Sequence, residues 1–208
     1  MINIETLTVS IFATNCYLVS CPSTQEAIIV DPGADAKSII ARIDKGQLKI
    51  KAIVNTHGHI DHIGANGKLK EEYQVPIFLP EKDLAIYNNP GFGLGLVLKK
   101  QPAPDRFIEE GDLIEFGEQT LKVIDTPGHT EGGISLVGSG VVFCGDTLFA
   151  GSIGRTDLAG GSYQTLITSI KERLMTLPPG TKVFCGHGPA TTIGAEAQTN
   201  PFITGLYP

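Results

Sequence analysis

The sequence has no tryptophan, no long apolar run and no basic cluster beyond Lys99–Lys100. Its 16 Lys and Arg against 22 Asp and Glu give a formal net charge of −6. Nucleic acid is disfavoured as a partner, because neutralising phosphates requires a basic face. No apolar run approaches the roughly 20 residues that a membrane-spanning helix needs. We therefore expect neither nucleic acid nor a membrane as a partner, while the oligomeric state stays open.

Cysteine is scarce, and its four copies (Cys16, Cys21, Cys144 and Cys185) form no C-x-x-C pair. The first residues, MINIETLTVS, lack the basic segment and apolar core that are typical of a secretory signal. These two observations predict free thiols in a protein of the reducing cytoplasm.

The length of 208 residues and the apolar content of 41% fit one domain, residues 1–208, with a sizeable core. Short β-type runs are predicted at Ile2–Ser10, Cys16–Cys21, Ala27–Val30, Ala52–Asn55, Ile77–Leu79, Leu121–Asp125, Ile134–Val137, Val141–Cys144 and Lys182–Cys185. Helical spacing is found at Ala36–Lys45, Gly64–Tyr73, Glu81–Asn88 and Ser162–Leu177. This order favours an α/β fold in which two sheets lie between outer helices, an αββα four-layer sandwich.

The segment Asn89–Arg106 has proline near both ends and three glycines, and it predicts a long surface loop. Loops of this length in compact domains often cover or wall a substrate site. A tolerated insertion without function is the alternative interpretation.

The strongest chemical pattern is Thr56-His57-Gly58-His59-Ile60-Asp61-His62, between a predicted strand and a predicted helix. Neutral imidazole and carboxylate are the ligands of zinc and similar divalent ions. Three histidines and an aspartate within six residues crowd titrating groups together, and the imidazoles would repel one another when protonated unless a metal binds them. The pattern therefore predicts metal ligands at His57, His59, Asp61 and His62.

Three more candidate ligands each follow another predicted strand at a glycine-containing turn: His129, Asp146 and His187. With the first segment, they account for all five histidines of the chain. A lone histidine at a strand end usually has no metal role, and Gly-Asp is common in turns. Their assignment therefore depends on their meeting the first segment in space.

The pattern His-x-His-x-Asp-His, followed by a distant His, Asp and His, resembles the metallo-β-lactamase superfamily over nearly the whole chain. Further motifs resemble the short bacterial branch of the glyoxalase II (hydroxyacylglutathione hydrolase) family: Gly145-Asp146-Thr147-Leu148-Phe149, Gly151-Ser152-Ile153-Gly154-Arg155-Thr156-Asp157, Gly186-His187-Gly188-Pro189 and Asn200-Pro201-Phe202.

The resemblance implies two divalent ions, with zinc favoured and iron or manganese as alternatives. One ion would be held by His57, His59 and His129, the other by Asp61, His62 and His187, and Asp146 would bridge them. It also implies that a metal-dependent hydrolase cleaves a small-molecule thioester such as S-D-lactoylglutathione to a hydroxy acid and a free thiol. Asp61 would additionally orient the nucleophile as a catalytic residue.

Arg155 and Asp31 each have a functional assignment and an equally plausible structural one, an ordinary surface residue for Arg155 and a turn residue for Asp31. Arg155 is the candidate for binding an anionic group of the substrate, since guanidinium matches carboxylate geometry. Asp31 is a candidate for orienting a metal-ligating histidine. Cys144 and Cys185 each precede a proposed ligand by two residues and are interpreted as small buried side chains.

Several alternatives stay open. Persulfide dioxygenases share the Gly-Arg-Thr-Asp stretch and use one iron, held by two His and one Asp. Hydrolysis of another ester or thioester, lactamase activity and a non-catalytic metal-binding module are the others. Longer glyoxalase II enzymes carry an aromatic glutathione contact where this sequence has Gly188-Pro189, so the thiol carrier is not fixed.

Overall fold

Two six-stranded sheets form the centre of the computed structural model, which describes residues 2–89 and 100–206. The strands of the first sheet, in both chain and spatial order, are β1 Asn3–Val9, β2 Thr14–Ser20, β3 Glu26–Val30, β4 Lys49–Val54, β5 Ile77–Pro80 and β6 Arg106–Ile108. The first three pair antiparallel, and β3 to β6 pair parallel. The parallel half therefore sends the carboxyl ends of its strands to one edge.

The second sheet is mainly antiparallel. Its strands are β7 Leu113–Phe116, β8 Gln119–Asp125, β9 Ile134–Gly138, β10 Val141–Gly145, β13 Lys182–Cys185 and β14 Thr191–Thr192, in the spatial order β14-β13-β10-β9-β8-β7. Within it, β10 and β13 pair parallel. A separate hairpin joins β11 Leu148–Phe149 to β12 Ser152–Ile153.

The helices are short. They are α1 Ala36–Gly46, α2 Ile60–Ile63, α3 Asn66–Tyr73, α4 Leu84–Asn88, α5 Tyr163–Ser169, α6 Ile193–Thr199 and α7 Pro201–Thr204. A 3₁₀ turn precedes α4, and a π-helical turn, Ile170–Leu174, continues α5. None of the described helices has the length and apolar character required to span a bilayer.

Three apolar clusters separate four layers. Between the sheets, Val19 and Ile28 belong to the same cluster as Leu121 and Phe143. A second cluster joins the first sheet to α1 and α3: Ile39, Ile43, Ile53 and Leu69. A third joins the second sheet to α5 and its π-helical turn: Val142, Leu166, Ile170 and Val183. The predicted αββα sandwich is confirmed, and burial on both faces explains why the central strands are apolar throughout.

Several predicted boundaries were wrong. The helix predicted from Gly64 begins at Asn66, and α2 forms a separate turn in front of it, because the Ala65 N–H donates to the Pro32 carbonyl. The helix predicted to Leu177 ends at Leu174. Five short strands (β6, β7, β11, β12 and β14) and two helices (α6 and α7) were not predicted, since two to seven residues give too little periodicity.

The predicted loop Asn89–Arg106 extends one residue too far, because Arg106 begins β6. Residues 90–99 of that loop lie outside the described part of the chain. At its far end, the Gln101 side-chain oxygen accepts a hydrogen bond from the Gly67 N–H at 2.9 Å. The described end of the segment is therefore attached to α3.

Candidate metal centre

All seven predicted ligands lie where the two sheets meet at one edge. His57 follows β4, His129 follows β8, Asp146 follows β10 and His187 follows β13. The two sheets are tied together here by backbone hydrogen bonds, from Asn15 to Gly186 at 2.7 Å and from Ile134 to Thr56 at 3.0 Å. Loops from distant parts of the chain are thus held on a rigid frame.

The segment after β4 is shaped by close packing. Gly58 lies against the Asp83 backbone, and a Cβ on Gly58 would stand 2.8 Å from the Asp83 carbonyl oxygen. His59 is extended at the start of α2, whose single turn carries Asp61 and His62. Extended chain followed by a helical turn directs His57 and His59 to one side of the cluster and Asp61 and His62 to another.

The first ligand group contains His57, His59 and His129, whose ring nitrogens lie within 4.8 Å of one another. His59 Nδ1 is 2.9 Å from His129 Nε2. The His129 Nδ1 donates to the Arg155 carbonyl at 2.7 Å, which directs its Nε2 into the cluster.

The second group contains Asp61, His62 and His187, with the same limit of 4.8 Å between donor atoms. His187 Nε2 is 3.3 Å and His62 Nε2 is 3.7 Å from Asp61 Oδ2. The His187 Nδ1 donates to the Phe12 carbonyl at 3.0 Å. Each histidine therefore presents Nε2 to a common space.

Asp146 lies between the two groups. Its Oδ2 is 3.6 Å from His129 Nε2 in the first group and 3.5 Å from His187 Nε2 in the second. Its Oδ1 is 3.4 Å from His62 Nε2. This position is the one that a carboxylate shared by two cations would occupy.

The donor atoms fit a metal. His57 Nε2, His62 Nε2 and Asp146 Oδ1 are buried without a hydrogen-bond partner among the described residues. Buried polar atoms are nearly always hydrogen-bonded, so three orphans in one cluster need another partner. Imidazole and carboxylate together are the ligand set of a divalent cation.

Burial and mutual repulsion lower the pKa of two histidines in the first group. Burial is the main cause for both, and the pKa of His59 falls to about 4, with His129 adding to the shift. The pKa of His57 falls well below its usual value, with His62 and His59 adding to the effect. Both rings are therefore neutral at pH 7, which is the form that binds a metal.

In the second group and in Asp146, contacts between histidines and carboxylates shift the pKa values in the opposite direction. Burial would lower the pKa of His187, but its bonds to Asp146 and Asp61 raise it to about 10. Burial would raise the pKa of Asp146, but the charge of His62 and the bond to His187 hold it well below its usual range. The carboxylates are thus ionised, and they attract positive charge into the cluster.

Asp31 contacts the site without facing the cavity. Its oxygens accept bonds from the Thr56 N–H at 2.7 Å and the Thr56 hydroxyl at 2.6 Å, and Oδ2 lies 3.1 Å from His62 Nδ1. It could also form a ligand triplet with His57 and His62. Because its oxygens already have these partners, the geometry favours the orienting role over a ligand role.

Asp83 is a supporting residue that the sequence did not reveal. It is fully buried, and it accepts the Gly58 N–H and the Gly132 N–H at 2.8 Å each. Burial raises the pKa of its carboxyl group despite these bonds. The carboxylate joins the loop of His57 to the loop of His129, although nothing in Glu81-Lys82-Asp83 distinguishes it from an ordinary helix start.

The ligands open onto a cavity of about 650 Å³, lined by Phe12, His59, Asp61, His129, Asp146, Phe149, Ser152, Ile153, Arg155, Leu158 and His187. Arg155 lies at its edge but pairs with Asp157, Nε to Oδ1 and Nη2 to Oδ2 at 2.8 Å each. Cys144 and Cys185 are buried among apolar side chains, as predicted. The structure brings the seven predicted ligands together, and their metal-binding roles stay a prediction.

Comparison with known proteins gives a consistent result. The family model for the Metallo-beta-lactamase superfamily matches residues 9–187. A protein of Aquifex aeolicus is 43% identical, with 96% of each chain covered. The hydroxyacylglutathione hydrolase GloC of Haemophilus influenzae is 39% identical, over 97% of this chain and 98% of that protein.

Solved structures with a similar fold agree with the match to this family. The BLEG-1 B3 metallo-beta-lactamase superposes with a TM-score of 0.91 at 36% identity, covering 97% of this chain and 100% of that one. TTHA1623 in a di-iron-bound form has a TM-score of 0.87 at 38% identity, covering 95% and 99%. ETHE1 from Myxococcus xanthus has a TM-score of 0.80 at 28% identity, covering 98% and 85%.

Proposed function

The chain belongs to the metallo-beta-lactamase superfamily, and from that premise we propose that it cleaves thioesters such as S-D-lactoylglutathione. The products would be a hydroxy acid and a free thiol. A metal-dependent hydrolase is what the family and the clustered ligands indicate. The family and the clustered ligands do not specify the substrate or the number of ions, and we propose a thioester and two ions.

The observation that carries the proposal is the position of Asp146, with donor atoms of both ligand groups within 3.6 Å of its carboxylate. His57, His59 and His129 would hold one divalent ion, and Asp61, His62 and His187 would hold the other. Two such ions, zinc by preference and iron or manganese as alternatives, would lower the pKa of a shared water and stabilise an oxyanion.

Asp61 would orient the attacking water. Its side chain is 15% exposed and lines the cavity, and its Oδ2 lies 3.4 Å from the Thr14 hydroxyl. The bond to His187 and the charge of His62 lower the pKa of Asp61 against the opposing effect of burial. An ionised carboxylate in this position can accept a hydrogen bond from the water and direct its lone pair at the carbonyl.

The chain offers no strong acid for the leaving group among the described cavity-lining residues, and a thioester needs none. A thiol has a pKa of about 8.5, so the thiolate departs without prior protonation. The similarity to the hydroxyacylglutathione hydrolase GloC supports this substrate class. The acidic chain and this small cavity also favour a small-molecule partner over nucleic acid or a membrane.

A persulfide dioxygenase is the second candidate, and the similarity to ETHE1 is compatible with it. That activity needs one iron on two histidines and one aspartate, a set that Asp146 and two of the three histidines His57, His59 and His129 could supply. The second group around His187 would then be idle. Its orphaned His62 Nε2 favours the two-ion hydrolase.

The test combines metal analysis with turnover. Protein purified without added metal is analysed for zinc, iron and manganese and assayed with S-D-lactoylglutathione by release of free thiol. We expect two metal equivalents, and loss of both metal and activity in His59→Ala and Asp146→Ala. Asp44→Ala, at an exposed position of α1, is the matched control.

Full activity with a missing metal equivalent would refute the two-ion proposal. Oxygen consumption with glutathione persulfide, together with one iron per chain and no thioester turnover, would establish the second candidate instead. A fully loaded protein that turns over neither compound would exclude both.

A further inference from the structure

One wall of the cavity beside the ligand cluster is apolar. It is formed by Phe12, Phe149, Ile153 and Leu158, which come from two separate parts of the chain. Phe149 and Ile153 belong to the β11–β12 hairpin, and Phe12 stands in the turn between β1 and β2. The Phe149 ring centre is 6.1 Å from that of His187. An apolar group of a bound substrate would therefore lie directly beside the ligands.

Phe12 is placed to contact such a group. Its side chain is 57% exposed, although it lines the cavity. Its backbone is fixed from two sides, since its N–H donates to Ser10 Oγ at 3.1 Å and its carbonyl accepts from His187 Nδ1 at 3.0 Å. An exposed aromatic ring on a fixed backbone, next to a polar cluster, marks a surface that a ligand covers.

The β11–β12 hairpin, which supplies Phe149 and Ile153 to this wall, is equally fixed. Asn200 Nδ2 donates to the Ser152 carbonyl at 2.9 Å, and the Gly151 N–H donates to Glu196 Oε2 at 2.9 Å. Both Asn200 and Glu196 are buried. The apolar wall is therefore held in place before a ligand arrives, which reduces the entropic cost of binding.

The positive charge that could attract an anionic ligand beside the cavity is paired with a carboxylate. Arg155 is the one Lys or Arg among the described residues that line the cavity. Its Nε and Nη2 each donate a hydrogen bond to the carboxylate of Asp157. Glutathione carries two carboxylates, and they would need cations that this described lining does not provide.

We propose that the site prefers a thioester whose thiol arm is uncharged and apolar over a glutathione thioester, and that this arm contacts Phe12 and Phe149. This inference rests on the proposed thioesterase function and specifies its substrate class. Water adds to the thioester carbonyl, the C–S bond breaks, and the thiol leaves as thiolate and takes up a proton. Arg155 is paired with Asp157, which weakens its attraction for a carboxylate of the thiol arm.

The test measures kcat/KM for two thioesters with the same acyl group, S-D-lactoylglutathione and the D-lactoyl thioester of benzyl thiol. We expect kcat/KM to be at least about tenfold higher for the benzyl compound, because its ring is buried against apolar surface. Phe12→Ala and Phe149→Ala should each lower the ratio of the two kcat/KM values by roughly tenfold. Ile11→Ala, whose side chain is 94% exposed and does not line the cavity, should leave both values unchanged.

Metal content is measured in every variant. Phe12→Ala keeps the backbone carbonyl that accepts from His187, so its metal content should equal that of the wild type. Asp157→Asn releases the Arg155 guanidinium and should raise kcat/KM for the glutathione thioester several-fold. No gain there would overturn the role given to Asp157.

Binding separates this inference from the proposed function. The probes are benzyl 2-hydroxypropyl sulfide and S-(2-hydroxypropyl)glutathione, in which a methylene replaces the carbonyl, and calorimetry measures their affinity. Tighter binding of the benzyl sulfide by about tenfold, reduced in Phe12→Ala, supports the apolar arm even if no thioester is turned over. Equal or tighter binding of the glutathione analogue overturns it, whatever the turnover.

Discussion

Gly186 packs so closely against Asp146 that a Cβ on Gly186 would lie 2.0 Å from Asp146 Oδ1 and 2.7 Å from His62 Cε1. His62 is fully buried, the Asp146 side chain is 12% exposed, and Asp146 lies between the two ligand groups. The absence of a side chain at residue 186 therefore sets the position of the proposed bridging carboxylate.

Gly186→Ala should lower metal content and activity together, since the new methyl group must displace Asp146 or His62. Metal analysis and thioester turnover on folded protein measure the effect. Gly180→Ala is the matched control, because a Cβ there meets nothing within 4 Å. A fully loaded Gly186→Ala protein would show that the Asp146 position is not critical.

Asp31→Ala should weaken metal binding by about 10–100-fold, the usual effect of removing a partner that orients a ligating histidine. It removes the acceptor beside His62 Nδ1 and also the bonds to Thr56. Competition with a chelator of known affinity gives the constant, and circular dichroism checks the fold. Retention of wild-type affinity would mean that packing alone orients His62.

Asp83→Ala should destabilise the fold by about 2 kcal/mol or more, because two buried N–H groups, those of Gly58 and Gly132, would lose their acceptor. Urea denaturation measures the free energy of unfolding. Asp83→Asn keeps one acceptor oxygen and should cost less. Glu81→Ala removes an exposed carboxylate from the same turn and should have little effect. Equal stabilities of Asp83→Ala and Glu81→Ala would contradict the structural role of Asp83.

Metal removal should lower the melting temperature. Without ions, His57 Nε2 and Asp146 Oδ1 stay buried without a hydrogen-bond partner among the described residues. An ion at 100 times its dissociation constant adds about 2.7 kcal/mol to the folded state. Differential scanning calorimetry with chelator, and then with zinc restored, should show a reversible shift that is smaller in His59→Ala. Identical melting curves would argue against metal binding at this cluster.

Asp105, which lies outside the metal centre, should make the stability of the folded protein depend on pH. Burial would raise the pKa of its carboxyl group, but the bonds from Lys70 at 2.6 Å and the Ile77 N–H at 2.8 Å lower it. A carboxyl group with a lowered pKa in the folded state stabilises the protein above its unfolded pKa of about 3.9, and this contribution is lost as pH falls.

Asp105→Asn should therefore reduce stability at pH 7, by less than about 1 kcal/mol because the pair is partly exposed. The difference from the wild type should shrink as pH approaches 3. Urea denaturation at both pH values tests this, with Asp44→Asn as the exposed control. A difference independent of pH would show that the ionised carboxylate is not responsible.

The ligand segment was predictable because its information is local. His57, His59, Asp61 and His62 are close in sequence and follow an apolar strand, so a metal-binding role could be predicted for them before their clustering was seen. The central strands were predictable for a similar reason, since burial on both faces requires continuous apolar residues. Short edge elements such as β6 and β14 contain too few residues to show a period.

What the sequence by itself determined was the set of donor groups and the layered fold, because ligand chemistry and hydrophobic pattern are properties of single residues and their neighbours. Only the tertiary structure decided that Asp146 lies between the two groups, that Asp83 joins two loops and that Asp157 occupies Arg155. These relationships depend on distances between strand ends and on the conformations of turns. Such distances arise only when the two sheets pack and the backbone hydrogen bonds between them form.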